Sequence, residues 1–258
     1  MDLKDKTIVI TGAGSGIGRA LALVLATKQP RHVICADLDK QNAHDTASVI
    51  NGIAYGVDVG CDAEVGQMID TIEREIAPID VFCSNAGILR IGGLETSLDD
   101  WQKSWDINVM AHVSAARHLV PRMRARGGGY FLNVASAAGL LNQIGAASYG
   151  VSKHAAVGFS EWLAITHGDQ GIGVSVVCPQ AVQTPMTRGL ENSAASVDGM
   201  ITAEDVATLC VEAIEKEEFL VLPHPNVKAY MQAKTANYGR WITGMQRLRD
   251  KFGMPQAD

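Results

Sequence analysis

Thr7-Ile8-Val9-Ile10-Thr11-Gly12-Ala13-Gly14-Ser15-Gly16-Ile17-Gly18 decides the fold. Thr7 to Ile10 is a run suited to a strand buried on both faces. A glycine-rich turn follows at once, and from about Gly18 to Lys28 the residues Ala20, Leu21, Val24 and Leu25 recur on one face of a helix. The literal G-x-G-x-x-G pattern fails, because counting from Gly12 and Gly14 its last place falls on Ile17. The glycines fit G-x-x-x-G-x-G through Gly12, Gly16 and Gly18. The physics is the same in both patterns. A strand bends sharply into a helix, residues without a Cβ let the backbone approach a pyrophosphate, and the helix N-terminus offers free N–H groups and positive potential.

The alternation begun there continues along the chain. Apolar runs at His32–Ala36, Ile53–Val57, Ile79–Cys83, Tyr130–Val134, Val174–Val177 and Phe219–Leu222 read as strands. Helical patterns cover about 40–50, 62–77, 99–126, 147–167 and 203–216. Strands apolar on both faces, alternating with helices, predict an α/β fold with a doubly wound, mostly parallel seven-stranded sheet covered on both sides. No linker or repeat interrupts the rhythm, so one domain is expected. Residues 1–225 would carry the cofactor and substrate sites, and 226–258 would be a C-terminal helical extension of the same domain. Residues 185–201 are small and polar and read as a mobile loop. In the tail, Val227, Tyr230, Met231, Tyr238, Trp241, Ile242, Met245 and Leu248 recur at roughly helical spacing, which predicts a helix packed on the body or on a second subunit.

Composition narrows the classes. With 22 Lys+Arg against 28 Asp+Glu, the net charge of −6 argues against a phosphate-backbone binder, so no nucleic-acid partner is expected. No apolar run reaches the ~18 residues of a membrane helix. The polar start Met1-Asp2-Leu3-Lys4-Asp5-Lys6 gives no secretory signal, and five scattered cysteines read as reduced thiols, mostly buried. A cytoplasmic location is therefore expected. Glycine at 26 of 258 residues exceeds the roughly 7% norm and predicts tight turns and close backbone approaches.

Asp37 ends the second strand, 19 residues past Gly18, where an acidic residue accepts hydrogen bonds from an adenosine ribose. A carboxylate there repels a 2′-phosphate, and the neighbours that could rescue phosphate binding, Leu38 and Ser15, are not basic. NAD is favoured over NADP. Tyr149-Gly150-Val151-Ser152-Lys153 places a phenol and an ammonium at i and i+4 on one helix face. A free phenol titrates near pH 10, too high for a base at neutral pH; a neighbouring cation favours the phenolate, and an oxidised nicotinamide would add another. Ser136 lies just beyond the fifth strand, at the carboxyl edge where open α/β sheets bind ligands, and could donate to a substrate oxygen.

At this point the chain resembles the short-chain dehydrogenase/reductase family. The resemblance rests on Thr11-Gly12-x-x-x-Gly16-x-Gly18, Asp58-Val59, Asn85-Ala86-Gly87, Asn108, Ser136, Tyr149-x-x-x-Lys153 and Pro179 followed by Thr184, in the family's order and over nearly the whole chain. It implies an NAD-dependent oxidoreductase that interconverts a secondary alcohol and a ketone, with Tyr149 as general acid/base. Lys153 would lower the phenol pKa and bind the nicotinamide ribose; Ser136 would orient the substrate oxygen; Asn108 would hold a water in a proton relay through Lys153. Gly12, Ser15, Gly16, Ile17 and Gly18 would hold the pyrophosphate, Asp58 and Val59 would flank the adenine, and Asn85, Ala86 and Gly87 would lie beside the cofactor. Thr184 and the Val182 backbone would hold the carboxamide, and Pro179 would also line the cofactor site. Family members of this type are commonly tetramers, so a homo-oligomer, tetramer or dimer, is implied.

The chain departs from the family after the proline that ends the sixth strand, where glycine is usual and Gln180 stands here. Its side chain reaches either toward substrate or toward solvent. The substrate pocket is expected from Ala138, Leu140, Leu141, Gln143 and Ile144, from Leu89 and Ile91, and from Met186. These are mainly apolar, and no cation is obviously placed to clamp a carboxylate, Arg90 and Arg188 being open alternatives, so a largely uncharged alcohol or ketone is expected. His112, His118, His154 and His167 read as packing or surface residues, with no metal site. Two other readings remain: an NADPH-dependent carbonyl reductase, and a catalytically idle dinucleotide-sensing protein.

Overall fold

The computed structural model describes residues 1–253. In chain order the elements are β1 (Thr7–Thr11), α1 (Gly16–Ala26), β2 (His32–Asp37), α2 (Lys40–Val49), β3 (Ile53–Gly56), α3 (Asp62–Glu75), β4 (Val81–Ser84), α4 (Leu98–Trp105), α5 (Ala111–Ala125), β5 (Gly129–Val134), α6 (Ala138–Leu141), α7 (Ala147–His167), β6 (Ile172–Val177), β7 (Val182–Gln183), β8 (Ile201–Thr202), α8 (Ala203–Lys216), β9 (Leu220–Val221), α9 (Asn226–Ala236) and α10 (Tyr238–Phe252). Seven strands form one sheet in the order β3-β2-β1-β4-β5-β6-β9, every pair parallel. The doubly wound Rossmann-like architecture expected from the sequence is the one observed.

Strand alternation sorts the core into two layers. Ile8 and Ile10 of β1 turn toward α1 and α8, packing with Leu21, Leu25, Val206 and Ile214. Val9, one residue out of phase, joins Phe82 and Phe131 under α3 and α5, with Ile69, Ile72, Leu119 and Met123. Both faces are covered, which is why the strands lack the hydrophobic-polar alternation of a half-exposed sheet. The chain order reverses between β1 and β4, and this switch point opens a crevice at the carboxyl ends of the strands.

Three segments differ from the periodicity-based expectation. The single helix expected over 99–126 is interrupted by a π-helical turn at Asp106–Met110, a backbone insertion that periodicity does not register. The tail is two helices, split at Asn237, whose extended backbone (φ −157°, ψ 97°) ends α9 and whose side chain accepts from Arg240 N at 2.9 Å to start α10. The 185–201 stretch, read as a mobile loop, is held at several points. Two short 3₁₀ turns occur in it, β8 pairs with β7, and the Asp198 carboxylate accepts from Asn226 Nδ2 (2.8 Å) and Tyr230 Oη (3.0 Å) of α9. The last five residues of the tail extension lie outside the described residues. Among those described, no helix is long and apolar enough to cross a membrane, and the five cysteines are unbridged, Cys61 alone being less than fully buried.

Leu119 is fully buried between α3 and the sheet, whereas Leu94 is 99% exposed. Leu119→Ala is expected to cost about 2–5 kcal/mol through lost contacts and a residual cavity. Leu94→Ala should stay within about 0.5 kcal/mol. Urea unfolding of the two variants beside the parent checks the contrast; equal losses would contradict the layer assignment.

Candidate active site

The turn after β1 is shaped by left-handed backbone at Gly12 (φ +66°) and Gly16 (φ +50°), a region that side-chain-bearing residues rarely adopt. A Cβ on Gly12 would sit 2.9 Å from the Ala86 backbone, and one on Gly16 would crowd Thr184. Thr11 Oγ1 accepts from the backbone N–H groups of Asn85 (3.0 Å) and Ala86 (3.1 Å), and Asn85 Nδ2 donates to the Thr11 carbonyl at 2.9 Å. These bonds lock the mouth of β1 to that of β4. Gly18 acts differently from the other glycines: it is absent from the cleft wall, and a Cβ there would lie 2.1 Å from the Gly12 carbonyl oxygen, so its role is to let α1 approach β1.

A cleft of about 340 Å³ runs from this turn to the start of α7. Gly12, Ser15, Gly16, Ile17, Asp37, Asp58, Val59, Asn85, Ala86, Gly87, Pro179, Val182 and Thr184, singled out in the sequence, all line it. At one end the Asp37 carboxylate accepts from the N–H groups of Gly14 (2.8 Å) and Asp39 (3.0 Å), which aims it into the crevice with lone pairs to spare. Leu38 beside it is 75% exposed, and Lys153, at the far end, is the one cationic side chain among the described residues on the wall. A glycine cradle that a Cβ would fill, with an oriented carboxylate on one side and a buried ammonium on the other, fits a dinucleotide.

At the far end, Tyr149 and Lys153 point from the first turns of α7 and Ser136 from the loop after β5. Ser136 Oγ donates to the Pro179 carbonyl (3.3 Å) and accepts from Ala138 N (3.1 Å). Lys153 is 3% exposed; its Nζ donates to the Val134 carbonyl at 3.0 Å and lies 5.8 Å from the centre of the Tyr149 ring. Burial draws the Lys153 ammonium down to about 8. Burial pushes Tyr149 above its ordinary value, and contact with Ser136 only partly offsets that.

Asn108 sits in the π-helical turn, fully buried and off the cleft wall. Its Nδ2 donates to the Ile88 carbonyl and Ser152 Oγ, both at 3.0 Å, and its Oδ1 accepts from Ile88 N at 2.9 Å. It clasps the loop after β4 to α7 and keeps one Oδ1 lone pair, next to the Cβ-less edge of Gly87 that Lys153 also faces. His112 is a packing residue, 2% exposed, with Nδ1 3.3 Å from Asn133 Oδ1; burial and the nearby Lys153 charge bring it to about 3, so it is neutral. Among the described residues, no group of three or more His, Cys, Asp and Glu could hold a metal ion.

A second cavity, of about 560 Å³, adjoins the cleft and shares Ser136 and Gln180 with it. Ala138, Leu141, Gln143 and Ile144 line it as expected from the sequence, but Leu140, Leu89 and Ile91 do not, and Met186 lines the cofactor cleft instead. Gln180 faces both spaces; its backbone N–H donates to His224 Nδ1 (3.1 Å), and its Oε1 is buried with no partner among the described residues. The opposite wall comes from the tail, through Tyr230 and the face of α10 that carries Arg240, Trp241, Met245 and Leu248. Sequence reading missed Arg240 and His224. The helical stripe of the tail was visible, but not the surface it would face. Of the cations considered from sequence, Arg90 pairs with Asp100 at 3.3 Å and Arg188 is off the wall.

Comparison with known proteins agrees with this geometry. The sequence model of the short chain dehydrogenases matches residues 6–195. The 1-deoxy-11-beta-hydroxypentalenate dehydrogenase of Streptomyces exfoliatus is 33% identical over 253 residues, covering 94% of this chain and 92% of that protein. The meso-2,3-butanediol dehydrogenase of Serratia marcescens is 33% identical over 193 residues, 73% of this chain and 76% of that one. A short chain dehydrogenase/reductase from Burkholderia phymatum, solved in complex with NAD, superposes with a TM-score of 0.86 at 29% identity, covering 93% of this chain and 96% of that chain. With its glycine turn, its Tyr149–Lys153 pair and a family match over most of its length, the chain belongs to the short-chain dehydrogenase/reductase family.

Proposed function

We propose that this oxidoreductase uses NAD to interconvert a secondary alcohol and a ketone, with Tyr149 as general acid/base. The observation that carries the reading is the convergence of Tyr149, Ser136 and Lys153 at one end of a cleft whose other end presents a glycine cradle and the Asp37 carboxylate. NAD is preferred to NADP in this reading because Asp37 would repel a 2′-phosphate, and no basic residue lines the cleft near it among those described. The hydroxyl substrates named for the pentalenate and butanediol relatives support an alcohol donor.

When bound, the nicotinamide supplies hydride exchange, which no side chain can provide. The chain's own residues handle position and protons. Gly12, Ser15, Gly16, Ile17, Asn85 and Gly87 would hold the dinucleotide, and Thr184 with Pro179 and Val182 its nicotinamide end. Ser136 Oγ orients the substrate oxygen. Tyr149 Oη, as phenolate, takes the hydroxyl proton during oxidation and, as phenol, returns it during reduction. Lys153 contributes positive charge close to that oxygen, and Asn108, through its free Oδ1 lone pair, positions the water that passes protons onward. Trp162 and Ile165, exposed on α7 at 53% and 82%, support self-association through that helix. The chemistry and the lack of a spanning helix among the described residues are compatible with the expected cytoplasmic location.

Tyr149→Phe should lower turnover about 10²–10⁴-fold, because the proton carrier is lost, and should leave NAD affinity within about twofold. Steady-state rates with calorimetric cofactor titration check this, and wild-type-like turnover would contradict it. Asp37→Ala combined with Leu38→Arg should shift the kcat/KM ratio toward NADP, and an unchanged ratio would contradict the ribose role.

The pKa direction gives a pH test. A phenol held above its ordinary value keeps its proton to higher pH than a free tyrosine, so in cofactor-free protein the Tyr149 phenolate should appear only at more alkaline pH than that of a free tyrosine. The near-ultraviolet phenolate absorbance of the parent minus that of Tyr149→Phe reads this. A titration near neutral pH without cofactor would show that Lys153 alone suffices to activate the phenol.

A further inference from the structure

The cavity beside the catalytic end is mostly apolar, but its wall is not uniform in charge. Of its lining side chains among the described residues, Arg240 alone is charged, and no carboxylate lines the cavity. Arg240 makes no ion pair with any described acidic residue, whereas Lys234, on the preceding helix, is held to the Leu140 carbonyl. Residues 237, 240, 241, 244, 245 and 248 all face the cavity, and their spacing is one stripe of an α-helix. No side chain of α10 is buried in the protein core. This stripe therefore has the apolar composition of a packing face with the cavity as its neighbour, and it carries a guanidinium near its first turn.

From this we infer that the cavity binds an amphiphilic carboxylate: an apolar body held between α6, the loop after it and the α10 stripe, with the carboxylate paired to Arg240. The inference rests on the dehydrogenase reading and narrows its substrate to a hydroxy or keto acid whose acid group lies away from the reacting carbon. Ser136 and Gln180 stand at the catalytic end and Arg240 on the tail wall, so a ligand spanning the cavity presents its alcohol to one and its anion to the other. The volume of about 560 Å³ lies in the range that encloses drug-sized ligands. A guanidinium matches a carboxylate with two parallel N–H···O bonds, which favours a carboxylate over a neutral polar group. The substrate expected from the sequence was largely uncharged; Arg240 changes that expectation because the fold of the tail brings it onto the wall.

The test uses the full chain and two matched pairs of probes. Decanoate and decanamide report binding without turnover by calorimetry. A hydroxydecanoate with its alcohol on the penultimate carbon, and its methyl ester, report NADH formation. In the parent protein the acids should bind and react better than their neutral partners. Arg240→Ala should remove about tenfold of that preference, expressed in Kd and KM with kcat kept, while the neutral probes change less than about twofold; Arg240→Lys should retain part of it. Because Arg240 is exposed at the rim, the preference should shrink as salt is raised. Equal affinity of parent protein for decanoate and decanamide, or equal losses for both in Arg240→Ala, would overturn the inference. Oxidation of a neutral secondary decanol separates the two failures: if it proceeds with NAD while the acids gain nothing, the dehydrogenase reading stands and the carboxylate site falls.

Discussion

Everything at the catalytic end depends on keeping one ammonium out of water. Lys153 is 3% exposed and rests on the Val134 carbonyl, in a place where burial lowers its pKa to about 8. Such burial is unfavourable unless the charge finds compensation. The surroundings are consistent with that demand. His112, close by, is held neutral by burial and by the Lys153 charge, so two cations do not share the interior. The Nδ1 of His112 points to Asn133, whose Nδ2 donates to Ser160 Oγ at 2.9 Å, and Ser160 donates to the Ala156 carbonyl at 2.8 Å. This polar chain ties β5 to α7 and fixes the helix from which Tyr149 and Lys153 project.

The sheet supplies the position. Parallel order with its reversal between β1 and β4 places the ends of β1, β4, β5 and β6 along one edge. The glycine turn, the Asn85 segment, Ser136 and Pro179 each follow one of those strands. The tail completes the arrangement from outside. With Asp198 bonded to Asn226 and Tyr230, the segment after β7 and helix α9 are held together at the rim of the second cavity.

Much of this was legible in the sequence because it is local. A strand apolar on both faces, a glycine that needs positive φ and a phenol four residues before an ammonium leave marks within a few positions. The seven strands, the glycine turn, Asp37, Ser136 and the Tyr149–Lys153 pair could be read that way; Asp58, Val59, Asn85, Ala86, Gly87, Pro179, Val182 and Thr184 were implied by the family resemblance alone. Gly18 was assigned to the cofactor because its spacing resembles that of Gly12 and Gly16; only the packing of α1 on β1 distinguishes it. The π-helical turn at Asn108 inserts a residue without altering the apolar pattern. Arg240 was not legible because its meaning depends on which surface the tail meets, a contact more than ninety residues from Gln143 and Ile144 in the chain. The raised Tyr149 pKa was missed for a related reason: spacing shows that a cation is near, but not how much water has been excluded.

The central claim is that this cleft carries out hydride transfer. A panel of secondary alcohols deuterated at the carbinol carbon, incubated with the protein and NAD, tests it most directly through mass spectrometry and nuclear magnetic resonance of the recovered cofactor. The account predicts that deuterium moves from carbinol carbon to the nicotinamide ring and enters one face only. Recovery of unlabelled cofactor across the panel, while the protein binds NAD, would contradict it.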